Sequence, residues 1–168
     1  PLMGPDLALR LQAHFPAAMH GVAAWTLRYH SGRDGGGMRT MLDTMTSADV
    51  AHRPAVLVVQ STSSRLFGAY VHSGFALRRG YYGSPASYLW KQNMAGGPYV
   101  YPTTGRNKCF LLTEPGDVPD DGDDDGDAAF GLWLDTRLLS GHSSRCATFN
   151  NAPLGPADDF AVFAVEVW

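Results

Sequence analysis

The run Ala55-Val56-Leu57-Val58-Val59-Gln60 constrains the fold of this chain more than any other stretch. It is continuously apolar and of strand length. Pro54 precedes it and a polar turn at 61–64 follows, so it reads as a central strand buried on both faces. The segment 160–168 behaves in the same way. Both of its alternate faces are largely apolar, and only Glu166 interrupts them. A chain with two such strands belongs to a layered, β-rich architecture.

Shorter strands are expected around these two. Residues 23–29 alternate Trp25, Leu27 and Tyr29 against Thr26 and Arg28, the pattern of a half-buried strand. Residues 65–71 form the return strand of a hairpin. Further strands are expected at 87–90, 99–101, 109–112 and 130–135. Residues 31–37 read as a glycine-rich loop. Asp6 can cap a short helix carrying Leu7, Leu11 and Phe15, which Pro16 ends. Met38, Met41, Leu42 and Met45 recur at helical spacing and mark the clearest amphipathic helix, with core packing as its use. The 19 Gly and 11 Pro supply turns for many short elements. The expectation is one mostly-β (α+β) domain over 1–168: a sandwich of two antiparallel sheets with a few flanking helices. The chain opens on Pro1, which reads as a piece cut from a longer protein, and its first residues do not form a signal peptide.

The charge pattern excludes several function classes. Seven of the 16 acidic residues lie within 117–127, and the other nine face 13 Lys and Arg. The body is therefore mildly basic and carries one acidic loop. Its arginines are scattered, which gives no nucleic-acid footprint. No run of 18 apolar residues exists to span a membrane.

Catalytic and metal-binding patterns are likewise incomplete. Asp121, Asp123, Asp125 and Gly126 match the first half of a calcium loop, but Leu132 stands where the bidentate Glu belongs. A solvated acidic insertion is the preferred reading, with calcium at these three aspartates as the alternative. The six histidines show no zinc spacing. Ser143, His142 and Asp135 are close in sequence but lack a nucleophile elbow. Cys109 and Cys146 read as two thiols in a reducing compartment. A redox-reactive use is the alternative, because Lys108 and Arg145 adjoin them. Glu166, set in an apolar strand, needs hydrogen-bond partners and is assigned a structural role binding loop amides. Trp25 and Trp133, on expected strands, are also structural. Asn150-Asn151-Ala152-Pro153 is a strong turn signal. No cofactor is implied.

Several ordered motifs carry a family likeness. FGLWLD at 130–135, LLSGHSS at 138–144, TFNNAPL at 148–154 and VEVW at 165–168 resemble the C-terminal half of a TLDc domain, the domain of oxidation-resistance-type proteins. Trp25 to Tyr29, Phe67-Gly68-Ala69-Tyr70 and Tyr82-Gly83 with Ser87-Tyr88-Leu89-Trp90 resemble its N-terminal half. The resemblance implies a non-catalytic interaction domain, cytoplasmic and held at an organelle surface by its partner. That partner is implied to be a subunit of the vacuolar-type proton ATPase, and the role to be oxidative-stress resistance. Gly83, Ser87, Gly131, Gly141, Asn150 and Asn151 are the expected partner-binding residues, with 141–153 as an exposed loop. The family's Gly-Glu is Pro85-Ala86 here, and its acid before TFNN is Ala147. These departures leave a second reading, an interaction module in a cytoskeletal or vesicle-trafficking assembly, with calcium modulation through the acidic loop.

Overall fold

The computed structural model describes residues 1–22, 24–113 and 130–168. Among the described residues three short α-helices accompany the sheet, α1 (Pro5–Gln12), α2 (Ser31–Asp34) and α3 (Met38–Met45), with one 3-10 turn at Ala17–Met19. The strands are β1 (Tyr29–His30), β2 (Ala55–Ser61), β3 (Leu66–Val71), β4 (Tyr88–Gln92), β5 (Pro98–Pro102), β6 (Trp133–Leu134), β7 (Ser140–His142) and β8 (Asp159–Val167). They run β5-β4-β3-β2-β8-β7-β6, with β1 also on β8. Every pairing is antiparallel. The mostly-β α+β class expected from the sequence is what forms, as an open sheet consistent with a β-rich sandwich.

The continuous apolar run of β2 follows from its position. It lies between β3 and β8, and a separate core covers each face. Leu57 and Val59 join Tyr29, Phe67, Val165 and Val167, with Met41, Leu42 and Met45 of α3 packed over them. Val56 and Val58 join Tyr70, Tyr88 and Trp90 under Leu7, Leu11 and Phe15 from the α1 segment. Burying each α3 anchor contributes about 2 kcal/mol.

β8 joins the two halves of the sheet. Residues 162–167 pair with β2, and 159–161 with β7. Its register slips beside Ser61, from Gln60↔Ala164 to Ser61↔Val162. Phe163 therefore drops out of the ladder and is 71% exposed. The slip puts Phe160, Val162, Val165 and Val167 all into one core, although their spacing is not a simple alternation. That is why both period-2 faces of the sequence look apolar.

Several local expectations are corrected. The first helix is capped by Gly4 with Pro5 at its start, and Asp6 lies in the first turn rather than at the cap. Among the described residues 24–29 only Tyr29 enters a strand, though Arg28 N–H still donates to Val167. Residues 31–34 form α2 instead of loop, held by the Asp34 carboxylate on the His30 N–H at 2.8 Å. In 109–112 only Leu111 pairs, with Tyr82. The expected 130–135 strand contracts to Trp133–Leu134, a sheet edge pairing with β7 alone. The acidic segment, including Asp121, Asp123 and Asp125, lies outside the described residues.

Candidate functional site

Two consecutive threonines bring the expected partner loops together. Thr103 Oγ1 donates to the Pro85 carbonyl at 2.8 Å. Thr104 Oγ1 donates to the Ala147 carbonyl at 2.7 Å, and Thr104 N–H to Thr148 at 2.8 Å. Loop 83–87 and loop 145–150 thus flank one stitch at the exit of β5. Ala86 and Ala147, where the sequence lacks two expected acids, lie on its two sides. Gly83, Pro85, Arg106, Arg145 and Asn150 are exposed around it.

The six expected partner residues divide by burial. Gly83 and Asn150 are exposed. Asn150 has φ +47°, a backbone region that asparagine tolerates, and its side-chain Oδ1 accepts from Arg145 Nε at 2.8 Å. Ser87, Gly131, Gly141 and Asn151 are buried, so 141–153 is not an exposed loop but a largely interior one. Only Arg145, Asn150 and Ala152 within it are exposed.

The buried four hold the loops in place. Asn151 donates through Nδ2 to the carbonyls of Ser144 at 2.9 Å and Ala152 at 3.2 Å, and its Oδ1 accepts from Cys146 Sγ at 3.3 Å. Ser143 Oγ donates to the Gly131 carbonyl and accepts from Leu154 N–H at 3.0 Å. A side chain at Gly131 would meet Leu89 Cδ1 at 2.5 Å, and one at Gly141 would meet the Phe160 ring at 2.6 Å. Ser87 Oγ accepts from His72 N–H at 3.1 Å, fixing loop 83–87 to the end of β3. Lys91 Nζ donates to the Pro153 carbonyl at 3.0 Å and adds a strap from β4. In such a lattice a single lost partner strands a buried polar group.

The residues assigned structural roles divide similarly. Glu166 is fully buried. It accepts from Leu2 N–H at 2.7 Å, Met3 N–H at 3.4 Å and Trp168 Nε1 at 2.9 Å, with His30 Nε2 at 3.7 Å. The carboxylate therefore ties the segment before α1 to β8. Trp25 is half-buried, donates to Gln12 Oε1 at 3.2 Å and packs on Phe15. Trp133 is 46% exposed, because β6 is an edge.

The residues nearest to a catalytic set do not meet. His142 and Ser143 are neighbours on a chain whose side chains alternate. The Ser143 hydroxyl is committed inside, while His142 Nδ1 contacts Asp159 Oδ1 at 2.7 Å at the surface. Asp135 accepts from Leu139 and Ser140 N–H groups and closes a turn. Partial desolvation, and then Cys109 and Cys146, push the Tyr81 phenol above its ordinary value.

Sequence reasoning missed Thr103 and Thr104. Their only signal was a polar pair before the Gly105 turn, and their partners are 18 and 43 residues away.

The TLDc domain family model matches residues 1–168. "Oxidation resistance protein 1" of Rattus norvegicus is 31% identical over 167 residues, covering 99% of this chain and 19% of that protein. The protein of the same name from Yarrowia lipolytica is 32% identical over 170 residues, covering 99% of this chain and 72% of that protein. "Nuclear receptor coactivator 7" of Homo sapiens is 32% identical over 177 residues, covering 100% of this chain and 18% of that protein. The chain thus spans about a fifth of its mammalian relatives and most of the yeast one. With the family model matched from end to end and the β-rich fold in place, the chain belongs to the TLDc domain family.

Proposed function

We propose that this domain is a non-catalytic interaction module that binds a subunit of the vacuolar-type proton ATPase and supports resistance to oxidative stress. It acts in the cytoplasm, at an organelle surface reached through that partner. The observation that carries the reading is the Thr103-Thr104 stitch, which sets loops 83–87 and 145–150 on one face. Gly83, Pro85, Arg145 and Asn150 form the contact surface. Ser87, Gly131, Gly141 and Asn151 keep it in shape from below. Preset loops lower the ordering cost of association. Immobilised domain incubated with extract of its source cells is expected to retain ATPase subunits in proportion to bait. Retention no greater than on a heat-unfolded bait would overturn the proposal.

A second reading rests on Ala86 and Ala147. Both lie beside the same stitch, and neither supplies the negative charge that the resemblance leads one to expect. A face without those acids suits a different partner in a cytoskeletal or vesicle-trafficking assembly. Ala86→Glu with Ala147→Glu discriminates the two. A gain of about tenfold in ATPase affinity favours the second reading, and unchanged affinity favours the first.

A further inference from the structure

Away from the stitched loops, Phe15, Trp25, Val50, Tyr70 and Trp168 line an open cleft of about 170 Å³ where β2 begins. Arg28 and Arg53 border it as well. None of the described residues that line the cleft is acidic. Asp49, just outside, reaches Arg28 only at 3.9 Å, and its side chain is 73% exposed. Arg53 is exposed at the mouth. The cleft therefore joins an aromatic interior to a rim with two arginines, of which Arg28 is the one in ion-pair range of Asp49.

Its size decides among occupants. Sites that enclose a whole small-molecule ligand run from about 300 to 1,000 Å³. This cleft is smaller and suits one large side chain, the form in which a peptide anchors on a protein surface. The rim chooses the anchor's neighbours. A guanidinium binds a carboxylate through paired N–H donors, and it repels a basic flank.

We infer that this cleft is a docking site for an acidic peptide segment of a partner protein. One aromatic or aliphatic side chain enters between Trp25 and Trp168, above the buried Tyr70, and a flanking carboxylate pairs with Arg53. The site is separate from the loop face and does not rest on the ATPase reading.

The four tryptophans make the test selective. Trp25 and Trp168 line the cleft, Trp90 is sealed in the core, and Trp133 lies on the β6 edge. The probe is the acetylated, amidated pentapeptide EEFEE, titrated against isotope-labelled protein while the indole N–H signals are followed. The Trp25 and Trp168 signals are expected to move saturably, while those of Trp90 and Trp133 hold still. EEAEE and KKFKK are each expected to bind at least about tenfold more weakly. Arg53→Glu is expected to weaken EEFEE by about tenfold, and Arg53→Gln by less, both with unchanged melting temperatures because Arg53 is exposed. Still indole signals with EEFEE would overturn the inference. So would equal binding of EEAEE, or full affinity in a folded Arg53→Glu variant.

Discussion

Glu166 is the residue on which the molecule's closure most depends. A fully buried carboxylate is tolerable only when its oxygens are occupied, and here three N–H donors occupy them. Glu166→Ala would leave those donors stranded. It is expected to cost about 3 kcal/mol in urea unfolding, and Glu166→Gln about 1 kcal/mol. Asp34 offers a pH test. The Arg33 guanidinium, and then the His30 N–H, hold its carboxyl at about 2, below the ordinary 3.8. Because the folded value is depressed, the contribution is complete above the unfolded value and is lost as pH falls through about 2. Wild type is expected to lose more stability than Asp34→Asn between those limits; parallel pH profiles would contradict this. The partner need of Glu166 was readable from its place in an apolar strand. The role of Asp34 was not, because glycines around it pointed to loop and hid a one-turn helix.

At the scale of elements, backbone contact decides more than side-chain pattern. Gly68 in β3 lies so close to β2 that a Cβ would fall 1.9 Å from the Leu57 carbonyl oxygen. Gly68→Ala is expected to destabilise by about 3 kcal/mol, read as a lower urea midpoint, since the obstacle is central-strand backbone. The strands β2, β3 and β4 and the helix α3 were legible, because their apolar spacing directly records which face is buried. The loop residues on either side of β6 and the 109–112 stretch were not. Their hydrophobic residues belong to loops that fold against the sheet, and short apolar runs do not separate strand from packed loop. The β8 bulge also left only an ambiguous trace: two apolar faces where one register shift was the cause.

For the whole molecule, the sequence located the segments of the candidate face but misjudged their depth. Gly-, Ser- and Asn-rich stretches look exposed, yet Ser87, Gly131, Gly141 and Asn151 are interior because the loops close over them. What remains outside is a face of loops 83–87 and 145–150 joined by Thr103 and Thr104. The claim that this face holds a proton-ATPase subunit is tested most directly by titrating purified ATPase soluble sector with the folded domain. The comparison is with Pro85→Arg/Asn150→Arg, a double variant at two exposed positions. Wild type is expected to bind saturably, and the variant at least about tenfold more weakly with its sheet intact. Absence of saturable binding by wild type, or equal affinity of the two proteins, would contradict the account.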